Sequence, residues 1–140
     1  MAMLPQACFQ RRTKMENAEK KKRYYAKLAL DMDRSLRYHY SAARKSANKR
    51  NIGFYITEDT IVKLWKKQKG KCALSGIEMT LTHGTSAAMN PTKLSVDRID
   101  NSIGYVENNI QLIIWQANAA KSVWTNQQLI EMCKAVASHA

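Results

Sequence analysis

Apolar residues in the first third of the chain recur at helical spacing. Leu28, Met32, Leu36, Tyr40, Ala43 and Ala47 fall on one stripe, and Lys27, Arg34, Arg37, Arg44 and Lys45 fall largely off it. Such a stripe faces a core and leaves the charges in water, which predicts one helix over about residues 16 to 49. "IGFYI" then reads as a short strand over 52 to 56. Thr57 is placed to cap a helix that turns Ile61, Leu64 and Trp65 inward and ends at Gly70. "CALSGIEMTL" predicts a small hairpin turning at Ser75 and Gly76, and "HGTSAAMNP" a loop. "KLSVDRI" and "IQLIIW" are strands joined through a turn at Gly104, and "QANAAKS" begins a helix. A capping box, Thr125 with Gln128, opens a closing helix that carries Leu129, Met132, Cys133 and Val136 on one face.

Charge divides the chain in two. Residues 11 to 71 hold 19 Lys or Arg against 6 Asp or Glu, whereas residues 72 to 140 hold 4 against 5. The formal net charge of +12 therefore lies wholly in the first half. A one-signed block repels itself and gains from a counter-charge, so a polyanion gripped by this arm is expected. Arg34, Arg37, Arg44, Lys45, Lys49, Arg50 and, farther on, Lys121 are the candidate phosphate contacts. Tyr24, Tyr25, Tyr38 and Tyr40 interleave with these bases but read as packing, and His39 reads as packed or solvent-facing, without a role. The expected organisation is a flexible N-terminus over 1 to 14, a basic helical arm over 15 to 71, a compact core over 72 to 124 and a packed C-terminal helix over 125 to 140. No apolar run reaches the roughly 18 to 20 residues of a membrane span, and no secretory leader is expected at the start of the chain. Cys8, Cys72 and Cys133 form neither a CxxC pair nor a disulfide framework. A reducing cytoplasm is expected.

Candidate chemistry gathers in "LSVDRIDNSIGYVENNIQL". A strand ending near Asp97, a return strand and a helix bearing Asn118 would bring together a carboxylate and an amide oxygen. Both are hard donors, suited to Mg²⁺ or Mn²⁺, which keep few protein ligands and complete their shells with water and phosphate oxygens. Asn109, opening the return strand, is placed to hydrogen-bond backbone across the loop and brace it.

"LSVDRID", "GYVENNIQLI" and "WQANAAKS" together resemble the HNH endonucleases, above all the compact bacteriophage type. The resemblance is strong over residues 72 to 121 and weaker over "SAARKSANKRNIGFYIT". It implies an α+β fold: a ββα-metal core of the His-Me finger kind, preceded by a long basic helix and closed by a C-terminal helix. It implies Asp97 and Asn118 as ligands of a divalent metal, Asn109 as the brace, DNA as partner, phosphodiester hydrolysis by nicking or double-strand cleavage, and a bacterial host cytoplasm if phage-encoded. The nine-residue spacing from Asn109 to Asn118 matches the family's.

Two departures stand out. Arg98 occupies the position of the family's general base. A guanidinium stays protonated, so it suits a phosphate clamp and not a base. Asp100, placed by strand alternation beside Arg98, His83 in the preceding loop, Tyr105, or a hydroxide needing no protein base are the alternatives. Ser75 stands where relatives carry a second thiolate after Cys72, so no structural zinc is expected. A monomer or a homodimer fits equally, and Trp115, Trp124 and the last helix are expected to hold the core. The rival to an endonuclease is a catalytically weak or inactive nucleic-acid-binding protein on the same scaffold; a protein-interaction module would more naturally be acidic.

Overall fold

The computed structural model describes residues 6 to 83 and 90 to 140. Part of the expected N-terminal segment, residues 1 to 5, and the loop interior, 84 to 89, lie outside the described residues, as do the side chains of Cys8, Arg11, Arg12, Tyr25 and Leu28. Residues 6 to 14 are helical. They open α1 (Gln6–Leu30), which is followed by α2 (Met32–Lys49) and α3 (Glu58–Gln68). The single helix expected over 16 to 49 is therefore two. Asp31 divides them: it is extended, with φ −106° and ψ 102°, and its carboxylate accepts the Arg34 N–H at 3.1 Å. A short side chain that satisfies an orphan helix donor favours a new N-terminus over continuation.

Thr57 caps α3 as expected, its N–H donating to Thr60 Oγ1 at 3.2 Å, and the helix ends at Lys69 in the left-handed region. The strand expected over 52 to 56 contributes only one bridge, between Phe54 and Tyr105. The approach there is close. A Cβ on Gly104 would stand 2.6 Å from the Gly53 carbonyl oxygen, so only glycine lets Tyr105 N–H reach Gly53 O at 2.8 Å. The small hairpin after Gly70 likewise closes through one bridge, Lys71 with Glu78.

Strands β1 (Leu94–Arg98) and β2 (Ile110–Ile114) form an antiparallel pair in which Asp97 faces Gln111 and Arg98 faces Ile110. All five β2 residues are buried, which explains why apolar residues fill every position except Gln111, whose amide is hydrogen-bonded to Asp97. Gln68 of α3 serves the free edge of β2 as a missing strand would: its amide donates to Leu112 O at 2.7 Å and accepts from Leu112 N at 3.1 Å. Helix α4 (Trp115–Lys121) follows β2 directly, and α5 (Asn126–His139) opens on the expected capping box of Thr125 with Gln128.

Leu36, Ile56, Ile61, Leu94, Leu112 and Ile113 are central to the core, and Trp65 packs partly buried against it. Trp115 and Trp124 do not hold it as expected: they are 37% and 53% exposed. In α5 only Leu129 is buried, while Met132, Cys133 and Val136 face outward. The face read from periodicity exists, but the core it meets is shorter than the helix. No helix among the described residues is long and apolar enough to cross a membrane.

Candidate active site

The turn after β1 is built around Asn109. Its Oδ1 accepts the Asp100 N–H at 2.9 Å, and its Nδ2 donates to the carbonyls of Asp100 and Gly104 at 2.9 and 3.1 Å. Asn109 N–H in turn donates to Val106 O, and Ile99 N–H donates to Asn109 O at 2.8 Å. One buried amide thus ties both ends of the loop and fixes where β1 stops.

Asp97, 6% exposed, is the penultimate residue of that strand. Its Oδ2 accepts from Gln111 Nε2 at 2.8 Å and lies 3.0 Å from Lys121 Nζ. Lys121 also donates to Arg98 O at 2.7 Å. Expected as a surface phosphate contact, Lys121 is instead 0% exposed. Its position explains this: it lies one helical turn after Asn118 and shares the α4 face turned to β1. Asn118 Nδ2 donates to Ser95 Oγ at 2.7 Å. Asp97 Oδ1 and Asn118 Oδ1 carry no protein hydrogen bond among the described residues.

These groups line a cleft of about 650 Å³. One wall is β1, its turn and α4, carrying Asp97, Arg98, Tyr105 and Asn118; the other is a face of α2, carrying His39, Ala43, Ser46 and Arg50. The residues from α2 recur every three or four positions, so one helical face supplies the wall, and its small members leave the space open. Arg98 Nη1 donates to Asn101 O at 2.7 Å and Ile103 O at 3.0 Å, and its guanidinium lies 5.5 Å from the Tyr105 ring centroid. Arg50, the exposed residue that caps the end of α2, does not extend freely as Arg44, Lys45 and Lys49 do. It folds back, donating to Ser46 O at 3.3 Å and to the Tyr105 hydroxyl at 3.0 Å.

Two of the expected bases lie elsewhere. Because β1 ends at Arg98, strand alternation does not extend to Asp100, which turns outward to accept the N–H and O–H of Ser102 at 2.8 and 2.6 Å. Those bonds hold its carboxyl below the usual value, which weakens it as a base. His83 is buried against α2, its Nε2 paired with Ser35 Oγ and its ring 4.3 Å from that of Tyr38. Neither lines the cleft; Tyr105 does.

His39, given no role from sequence, does line it. The signal was present, because position 39 is one turn after Leu36 on the inward side of α2. Missing was the knowledge that this side meets β1. Burial above all, then His83 and Lys93, pushes the His39 imidazole down to about 3 from 6.5. Burial and Lys93 lower His83 as well. The folded protein thus excludes protons that the unfolded chain binds. This contribution to stability is complete above about pH 6.5 and is lost as pH falls toward 3. Replacing His39 by Gln should remove about one proton from the dependence of unfolding free energy on pH over that window. Urea titrations between those limits check this, and an unchanged slope would contradict it.

Of the other basic candidates, Arg34 lies 3.8 Å from Asp31 and Arg37 lies 3.4 Å from Glu58, both at the surface, and Arg44, Lys45 and Lys49 are exposed along α2. Among the described residues, no three His, Cys, Asp or Glu side chains gather into a metal site.

By sequence the chain matches no family model and no curated protein. A solved structure of the rare-cutting HNH restriction endonuclease PacI is similar, with a TM-score of 0.56 and 18% identity, over 74% of this chain and 78% of that one. At that identity the likeness concerns architecture alone. It agrees with what β1, β2 and α4 build: an α+β fold in which an antiparallel strand pair is followed directly by a helix.

Proposed function

We propose that this protein is a metal-dependent endonuclease that hydrolyses DNA phosphodiester bonds in the cleft between α2 and the β1–β2–α4 unit. The carrying observation is that Asp97 Oδ1 and Asn118 Oδ1, two hard oxygens without protein partners, line one cleft beside Arg98. That donor set fits Mg²⁺ or Mn²⁺, which need only one or two protein ligands. Such an ion, held by Asp97 and Asn118, would polarise the scissile phosphate and stabilise the departing 3′ oxygen.

The chain's own residues do the rest. Arg98 remains charged, and with Nη1 committed to the loop carbonyls its other nitrogens carry no protein hydrogen bond among the described residues. They are available to a phosphate oxygen whose charge grows in the transition state. Lys121 offsets part of the electrostatic cost of burying Asp97 and engages Oδ2, leaving Oδ1 as the oxygen without a protein partner. Asn109 keeps the turn from carrying Arg98 and Tyr105 out of place. The division of labour follows the charge: residues 15 to 71 grip the duplex, 72 to 124 carry the chemistry and 125 to 140 cover one side.

The exposed bases of α2 supply the grip. Replacing Arg44, Lys45 and Lys49 by Glu should weaken binding to all duplex sequences alike and flatten the salt dependence, whose log-log slope is about −0.9 per neutralised phosphate. Fluorescence anisotropy across a salt series measures both. Unchanged affinity would place the grip elsewhere.

A DNA-binding protein without cleavage is the second reading, favoured by Lys121 neutralising Asp97 and by Arg98 at the usual position of a base. Incubation of plasmid with Mg²⁺ or Mn²⁺, with and without chelator, separates the two.

A further inference from the structure

The wall that carries Arg98 borders a second cavity. It has a volume of about 480 Å³ and lies between the turn after β1 and residues 123 to 127, which lead from α4 into α5. Asn101 and Val123 line both cavities, so the two adjoin. They are also tied together. Arg98 Nη1 donates to Asn101 O at 2.7 Å, and Asn101 Nδ2 donates across to Ser122 O at 3.0 Å. Three residues of chain reach at most about 11 Å, so a group in this cavity and a group beside the guanidinium lie within a nucleotide or two of one another. Ser122 shapes the far lip. Its φ of 47° and ψ of −113° are costly for a residue with a Cβ, and such strain persists where the surroundings over-determine it, often beside functional sites. Here its N–H donates to Asn118 O at 2.9 Å and the Trp124 N–H to Lys121 O at 2.8 Å. Beyond this pinned corner, Val123 and Trp124 stand 75% and 53% exposed.

The lining suits a base and not a phosphate. No Lys or Arg is among the described residues that form it, and Asp100 adds a carboxylate, which repels phosphate. Asp100 Oδ2, Asn101 Oδ1 and Gln127 Oε1 carry no protein hydrogen bond among the described residues, because Ser102, Ser122 and Glu131 engage the other polar atom of each side chain. Those three oxygens are acceptors for the amino and imino groups of a base. Trp124 offers a ring to stack on, and Ile99, 39% exposed, an apolar edge. Proteins that hold a single base outside the helix use this combination of stacking surface and edge-reading polar groups. Resting on the reading of the neighbouring cleft as the seat of the scissile phosphate, we propose that this second cavity is a nucleobase site, which takes one unpaired or extruded base close to the point of cleavage and stacks it on Trp124. The site gives the protein a preference for DNA with an unpaired base, which the exposed lysines and arginines of α2 cannot supply, since contacts to phosphate carry no such information.

The test is binding of the full chain, with chelator present so that nothing is cut, to three labelled duplexes: fully paired, with one unpaired adenine, and with an abasic residue in place of that adenine. Wild type should bind the unpaired adenine at least about 10-fold more tightly than either of the others, the scale of one stacked base. The abasic duplex separates the base from the bend that a bulge introduces. Trp124→Ala should bring the three affinities together, and Trp124→Phe, which keeps a ring, should retain most of the preference. Equal wild-type affinities for the three duplexes would overturn the proposal, as would a preference that Trp124→Ala keeps. So would a wild type that sediments as a dimer which Trp124→Ala splits, because the exposed ring would then serve a second copy of the chain. Plasmid cleavage in Mg²⁺ or Mn²⁺ judges the nuclease reading separately: a protein that cuts without the preference overturns this inference alone, and one that shows the preference but never cuts overturns that reading alone.

Discussion

Asp97→Asn is expected to lower the rate of plasmid cleavage by about 10²- to 10³-fold, the scale on which one electrostatic contribution to a transition state is lost, while leaving duplex affinity unchanged. The reason is the separation of roles in space. Asp97 lies buried at the end of β1, and the exposed bases run along α2. Alanine is the wrong probe, because it strands the buried Lys121 ammonium with only the Arg98 carbonyl for company. Asparagine also removes the counter-charge, so folding must be followed in parallel. The clean comparison adds Lys121→Met. In that double variant a neutral pair of similar bulk replaces the buried ions, an exchange that is often neutral or stabilising. It should fold, bind and not cut. Wild-type cleavage by either variant would remove Asp97 from the proposed metal site.

Lys121→Met alone should destabilise the fold by about 3 to 5 kcal/mol, because it leaves the Asp97 carboxylate buried without its counter-ion. For a chain of this size that loss is a large part of the total stability. It would appear in urea unfolding as an earlier midpoint with an unchanged slope. Adding Asp97→Asn should restore most of it. Equal stability in the single and double variants would show that the pair contributes through packing and not through charge.

These two residues also show where sequence reasoning stopped. Asp97 in β1, Asn109 just before β2 and Asn118 in α4 belong to a strand–turn–strand–helix run whose order, turn glycine and spacing were legible, so their placement in one small unit was foreseeable. Lys121 was not. A lysine in a chain this basic reads as surface, and nothing local says that the α4 face carrying Asn118 turns the residue one turn later onto a carboxylate. Asp100 was misplaced for a simpler reason: period-two alternation was continued two residues past Arg98, where Asn109 has already bent the chain. His39 was passed over because its significance depends on α2 packing against β1, a contact between elements more than 50 residues apart in sequence. Helix ends were uneven. The capping box at Thr125 and Gln128 was plain from residue types, but Asp31, equally able to cap, was read through because the apolar stripe continues on both sides of it.

The most direct test of the account is cleavage of supercoiled plasmid by the wild-type chain in low salt with Mg²⁺ or Mn²⁺. The account predicts conversion to nicked or linear DNA that ends carry as 5′-phosphate and 3′-hydroxyl, and that chelator abolishes. Intact supercoiled plasmid in both ions, from protein shown in the same tubes to bind it, would contradict the account and leave a binding protein on a nuclease scaffold.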